Sequence, residues 1–420
     1  MIQTLLSKTF KNTSFQNFTI YGFGQAFNLI TPILVAPYII LTCGEENYGK
    51  TSIGMAISFF CMVFIDYGTD ISGVKEVSLA RKSNQLLNEI FLKNLFLKSI
   101  TFTIVLLFLL FIISTTPFFK NESTLYLLGL TVLFGQLINP IWFLQGIENV
   151  KWITWMNIVS KSFFLIFIFL LIKNPVDYVY VNLIWGLGMI VAHLLLVCFI
   201  WRKYNFKWHL KPLESSIKQL KSDFTFFTSQ IFVSLQMYAP VVLIGMLGSN
   251  ILAGQYRIIE QIIVVFKTYL LLFFNFIFPK ICFLLQENKP QCFKSWFRFN
   301  GLNYVVIFIG CCLIFIFNQN ILSFFNATDI PKLSVWLKTS LLIPLILGIS
   351  IPLKQLILGL DWKNTYIKST IFQVIITIGL LICIIPNLDL FWLFVALILS
   401  ELSLVIFYIY KLNSLKPFHG

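Results

Sequence analysis

The chain has 420 residues, of which 58% are hydrophobic, 17% aromatic and 11% charged, and its mean hydropathy is +0.85. No water-soluble core absorbs that much apolar side chain, so a soluble globular class is excluded and a polytopic membrane protein is indicated. The formal charge of +14 would suit a nucleic-acid partner only if the basic residues shared one soluble face; they are dispersed among apolar runs instead.

Counting about twenty apolar residues per crossing predicts spans over 17–42, 51–73, 94–116, 123–144, 152–172, 178–201, 222–245, 255–278, 299–317, 333–353, 369–386 and 390–410. The expected fold is all-α and integral to the membrane, with about twelve transmembrane helices. A polar tail precedes the first run, which lacks a small-residue cleavage site, so it reads as the first span rather than as a cleavable signal. The basic 202–221, as long as any extramembrane stretch, has six spans on either side. We therefore expect a six-helix lobe over 1–205, a basic linker over 206–221 and a second six-helix lobe over 222–420. An even number of spans per half makes any repeat parallel, about an axis along the membrane normal. Gln25 with Pro32 in the first span and Gln236 with Pro240 in the seventh are its faint echo.

Orientation follows from the Lys/Arg bias of short loops. With a cytoplasmic N-terminus, the inner segments, tails Lys8, Lys11 and Lys416 included, hold 22 of the 31 basic residues. The outer segments hold Lys50, Lys120, Lys173 and Lys332, and the spans keep Lys98, Lys161, Arg257, Lys267 and Lys338. Both termini and the 202–221 segment are expected on the cytoplasmic side. Most of the net charge is then a topology signal.

Polar residues inside the spans mark the candidate site, because charge at membrane depth is expensive and usually faces a bundle interior or a wet cavity. In 255–278, Arg257, Glu260, Gln261, Lys267, Thr268 and Asn275 fall within a helical arc of roughly 120°. A structural pair of Arg257 with Glu260, one turn apart, is the alternative for those two residues. Lys267 has no acid at helical spacing and points to a cavity that handles anions. In the first half Gln25 and Asn28 lie one turn apart, as do Gln136 and Asn139, while Lys161 shares a face with Asn157 about 13 Å into its span, too deep to snorkel easily. Each amide pair reads equally well as an interhelical hydrogen bond of about 0.6 kcal/mol. Asp66, Glu260 and Glu401 are the candidates to hold a proton or coupling cation, and an ion pair with a basic residue on a neighbouring helix is the alternative. Pro32, Pro37, Pro140, Pro240, Pro344 and Pro352 interrupt apolar runs, where they bend helices and free carbonyls. His193, His209 and His419 are isolated, without metal-ligand spacing. There is no Gly-Lys-Ser/Thr phosphate loop, and no cofactor is expected.

Three stretches resemble the O-antigen flippases, the Wzx type of polysaccharide exporter in the superfamily that also holds multidrug/ion antiporters and lipid II flippases. The first is CGEENYGKTS at 43–52 leading to FIDYGTDISGVKEVSLAR at 64–81, in which Asp66, Tyr67, Gly68 and Ser72 match while Gly73 and Lys75 stand where Ala and Arg are more usual. The second, and most specific, is WFLQGIENVKWIT at 142–154; the third is YRIIEQI at 256–262, with Gln261 in place of Lys. The resemblance implies two six-helix lobes around a central cavity. It also implies translocation of an undecaprenyl-pyrophosphate-linked O-antigen unit from the cytoplasmic to the periplasmic leaflet of the bacterial inner membrane, by alternating access and without bond chemistry. The implied partners are that lipid-linked oligosaccharide, the bilayer, and the polymerase and chain-length proteins of the same pathway. Two other readings compete. A drug or ion antiporter of the same superfamily shares the architecture, and WFLQGIENVKWIT argues against it. A membrane enzyme on the same glycan, polymerase or acyltransferase, needs a large Arg-bearing outer loop or an intramembrane His in polar company; 318–332 holds only Lys332, and His193 is flanked by Val191, Ala192 and Leu194.

Overall fold

Apolar stretches of membrane length have no water to satisfy their backbone, so they must close their hydrogen bonds internally. The computed structural model describes residues 13–208, 213–385 and 389–414, and these are helical nearly throughout, with no strand among them. The tails with Lys8, Lys11, Lys416 and His419, the part of the linker with His209, and residues 387–388 of the expected turn lie outside the described residues.

Eleven helical stretches are long and apolar enough to cross a membrane. The first, Gly24–Asp66, has 43 residues; at 1.5 Å per residue it is roughly twice the thickness of a bilayer core. It lies in α1 (Thr13–Asp66), which is interrupted at Gly44 with φ 85° and ψ 162°, a region that only glycine enters freely. The two expected spans thus lie on either side of the break at Gly44, and the other ten stretches supply one crossing each. The all-α integral membrane fold expected above is what the chain adopts.

The chain forms two compact units, residues Met1–Gly44 with Thr51–Ser234, and Glu45–Lys50 with Leu235–Gly420. The first unit continues from α1 through α2 (Thr69–Ala80), α3 (Asn84–Thr115), α4 (Pro117–Lys120), α5 (Ser123–Leu137), α6 (Ile141–Gly146), α7 (Val150–Leu171), a 3-10 turn (Pro175–Tyr180), α8 (Val181–Tyr204) and the start of α9 (Leu213–Leu247). Pro140 stands at the N-cap of α6, where its missing N–H lets the backbone break between α5 and α6. Small residues bring α5 and α8 together: a Cβ on Gly186 would lie 2.2 Å from Thr131, and one on Gly135 would lie 2.7 Å from Met189. An aromatic core of Phe91, Trp142, Phe143 and Phe206 closes one end of this unit.

The second unit holds the rest of α9, then α10 (Asn250–Glu287), α11 (Lys289–Ile316), α12 (Asn318–Phe324), α13 (Ile330–Ser340), α14 (Leu342–Gly359), α15 (Lys363–Ile384) and α16 (Leu390–Ser414). The boundary between units falls at Ser234–Leu235, inside α9. Residues 45–50, expected as an outer loop, pack within this unit on the first turns of α10. A Cβ on Gly49 would lie 1.8 Å from the Asn250 carbonyl oxygen, and one on Gly254 would lie 2.3 Å from that of Glu45. Glu45 is 5% exposed and accepts from the Thr328 backbone N–H and hydroxyl, both at 2.7 Å, and from Gln255 Nε2 at 3.1 Å.

Candidate functional site

Each unit carries its own buried charge cluster. In the first, Asp66 ends the long helix α1 and faces α3 and α5. Lys98 Nζ lies 2.7 Å from Asp66 Oδ1, Gln136 Nε2 donates to Oδ2 at 2.5 Å, Asn139 Nδ2 donates to Gln136 Oε1 at 3.1 Å, and Lys98 also reaches the Asn139 carbonyl at 3.4 Å. Lys98 is 1% exposed. Three residues singled out from the sequence therefore meet at one place, and Lys98 completes the group. Lys161, on α7, stands apart from it: the ammonium is buried 3.2 Å from the centroid of the Trp185 ring, a cation–π geometry. Gln25 is half-buried, and the buried Oδ1 of Asn28 has no partner among the described residues. His193 is buried with Nδ1 2.6 Å from the Gly135 carbonyl oxygen.

The second cluster surrounds a cavity of about 50 Å³ lined by residues of α9, α10, α14, α15 and α16, among them Gln236, Glu260, Lys267, Thr377, Ser400 and Glu401. Glu401 Oε1 accepts from Gln373 Nε2 at 2.8 Å and from Gln236 Nε2 at 3.5 Å. Behind it, the Thr377 and Ser400 hydroxyls are 2.6 Å apart. Arg257 Nη1 meets Glu260 Oε2 at 2.5 Å. Another member of the stripe turns elsewhere, as Gln261 Nε2 donates to the Tyr48 hydroxyl at 2.7 Å. A volume of this size holds water or a small ion and no sugar. Two carboxylates, Glu260 and Glu401, and the Lys267 ammonium line it, and Arg257 pairs with Glu260 beside it.

Because Arg257 and Glu260 are paired on one helix face, removing one partner strands the other; Arg257→Ala should lower membrane abundance, and Arg257→Ala with Glu260→Ala should restore it. Immunoblots of membranes from the single and double variants check this. Equal abundance of the single and double variants would show that the pair contributes nothing to folding.

Residues 14–283 match the sequence profile of a family described as polysaccharide biosynthesis protein. The chain belongs to the polysaccharide biosynthesis protein family. Two curated relatives, one from Escherichia coli (strain K12) and one from Shigella dysenteriae, carry the name O-antigen transporter. The first is 24% identical over 64% of this chain and 64% of its own length; the second is 19% identical over 78% and 82%. The alignment thus spans just under two thirds of the first relative. Among solved structures, an inward-facing multidrug resistance MATE family transporter of the MOP superfamily superimposes with a TM-score of 0.70 at 13% identity, covering 94% of this chain and 96% of that one. A MOP superfamily transporter from Pyrococcus furiosus gives a TM-score of 0.56 at 11% identity, over 95% of each chain. At such identities the likeness is one of fold.

In this polysaccharide biosynthesis protein the motifs at 64–81 and 142–154 build a clasp rather than a cavity. Tyr67 and Gly68 have φ of 43° and 83°, which turns the chain from α1 into α2. Ser72 and Gln219 then donate to Asp223 Oδ2 at 2.6 and 3.1 Å. Arg81 Nε donates to the Gly146 carbonyl at 2.7 Å and its Nη2 reaches Glu148 Oε1 at 2.8 Å. Arg81 hydrogen-bonds the Glu148 carboxyl and holds it below the usual carboxylate range, so whatever this pair contributes is present at neutral pH and lost as pH falls through that lowered value. At Gly73 a Cβ would lie 2.9 Å from Trp142 Cε3. Trp142 itself is buried. The polar partners Asp223, Gln219 and Gln373 were not singled out from the sequence; Gln219 and Asp223 lie one turn apart on α9 and meet Ser72 of α2, and Gln373 of α15 meets Glu401 of α16.

Proposed function

We propose that this protein is a transporter that moves an undecaprenyl-pyrophosphate-linked oligosaccharide, of the O-antigen type, from the cytoplasmic to the periplasmic leaflet of the bacterial inner membrane by alternating access. The observation that carries the reading is the pairing of a profile match to the polysaccharide biosynthesis family with acidic and basic side chains at membrane depth in both units. A pyrophosphate and its sugars cannot cross hydrocarbon unpaired, whereas the lipid tail can remain in the bilayer. In this reading Lys161, Arg257 and Lys267 supply cationic character to the path, with Gln25, Asn28, Gln136, Asn139 and Gln261 as hydrogen-bonding groups. Asp66, Glu260 and Glu401 hold the coupling proton or cation. The small size of the cavity at Glu401 supports an ion rather than a glycan there. The names of the curated relatives support the substrate class.

The test is complementation of a host lacking its own exporter, supplied with lipid-linked glycans of several structures. Restored surface polysaccharide for at least one glycan is expected. Failure with all of them, in cells that carry the protein in the membrane, would sink the proposal. The same reading places both termini and 202–221 in the cytoplasm, following the basic residues. A fusion after Lys207 should be active only with a reporter that works inside, and activity of a reporter that works outside would reverse the orientation.

A further inference from the structure

The last three turns of α8 carry an open groove of about 490 Å³ lined by Leu195, Cys198, Phe199, Arg202 and Lys203. Its lining is divided by chemistry along the helix axis. Leu195, within a membrane-length apolar helix, is 60% exposed and supplies the apolar end. Arg202 and Lys203 lie in the last turn, at the end of the span Pro175–Tyr204, where headgroups begin.

Neither cation has an acidic partner among the described residues, whereas Lys50, Arg81, Lys93, Lys98 and Arg257 all do. Aromatic rings mark the same depth. Phe199 packs against Trp152 with ring centroids 4.0 Å apart, and Trp201 stacks on the 65% exposed Trp208 at 6.1 Å. Trp and Tyr gather at membrane–water interfaces because one side of the ring is apolar and the other polar. The helix C-terminus alone would favour two cations by its dipole, but it makes no groove and selects no aromatic wall.

We propose that this groove binds the headgroup of an anionic phospholipid, with the phosphate between Arg202 and Lys203 and one acyl chain along Leu195 and Phe199. Basic pockets at the ends of membrane helices attract anionic lipid in this way, and each basic side chain near the surface is worth about fivefold in affinity.

The test uses the full chain, purified and delipidated, and titrated in native mass spectrometry with phosphatidylglycerol or with phosphatidylcholine of the same acyl chains. The wild type should bind at least one phosphatidylglycerol more tightly than phosphatidylcholine. Arg202→Gln with Lys203→Gln should weaken that binding about thirtyfold, and Arg202→Lys with Lys203→Arg should keep it. Should the double Gln variant lose its thermal unfolding transition, the single substitutions are read instead, with about fivefold expected from each. Equal phosphatidylglycerol binding by wild type and variants overturns the proposal, as does equal binding of the two phospholipids. A third titrant, undecaprenyl pyrophosphate, separates the sources of phosphate: if it displaces phosphatidylglycerol at lower concentration and depends on the same two residues, the groove serves a pyrophosphate lipid and the phospholipid assignment falls.

Discussion

Lys98→Ala should strip most of this protein from the membrane, while Lys98→Met combined with Asp66→Asn should bring it back. Lys98 is among the most buried side chains in the chain, at 1% exposed, and its ammonium is 2.7 Å from Asp66. Taking the lysine away leaves a carboxylate at membrane depth with, among the described residues, Gln136 alone to donate to it. Breaking one side of such a pair costs about 3–5 kcal/mol, whereas replacing both sides by groups of similar shape is often neutral. An asparagine at 66 keeps an acceptor for Gln136, and a methionine at 98 fills the volume of the lysine stem. Membrane abundance by immunoblot reads the folding effect, and surface polysaccharide in the complemented host reads transport. Recovered abundance with lost export would place Asp66 in coupling. Recovered abundance with normal export would make the pair structural, and unchanged abundance in Lys98→Ala would show that the buried pair does not hold the fold.

The spans were legible because hydrocarbon thickness sets a length that apolar runs must meet, and this constraint acts on each segment by itself. What it does not locate is the end of a helix. The helix that follows the break at Gly44 begins in polar residues at 45–50, outside any apolar count. The charged stripe of α10 was legible too, as an arc on a helical wheel. Its division was not: Glu260 and Lys267 reach the cavity while Gln261 turns to Tyr48, because an arc of roughly 120° is wide enough to face two neighbours. Spacing rules also stop at the boundary of one helix. Lys98 was visible as a basic residue inside a span, but nothing in its own segment named Asp66 as its partner. The family motifs were readable as a pattern, whereas their mechanical task depended on left-handed backbone at Tyr67, Gly68 and Glu148 and on Arg81 reaching a carbonyl across the unit.

Lys267→Ala is expected to cut export more than tenfold while leaving membrane abundance within about twofold of normal, the reverse of the Lys98 phenotype. The difference follows from surroundings. Lys98 is enclosed and directly paired, whereas Lys267 is half-buried on the wall of a cavity, so its loss does not leave a carboxylate without donors. Glu401 keeps Gln373 and Gln236, and Glu260 keeps Arg257. What the alanine removes is the positive charge that offsets Glu401 across the cavity. If transport depends on that balance, Lys267→Arg should retain part of the export. Glu401→Gln, which preserves the size and hydrogen-bonding pattern but not the charge, should also be defective at normal abundance. The double variant Lys267→Ala with Glu401→Gln then decides between two roles. Export restored by the second substitution means that Lys267 serves only to balance Glu401, and export still absent means that the lysine itself meets the anionic cargo or that Glu401 must carry a proton. Full export by Lys267→Ala alone would remove Lys267 from the transport path.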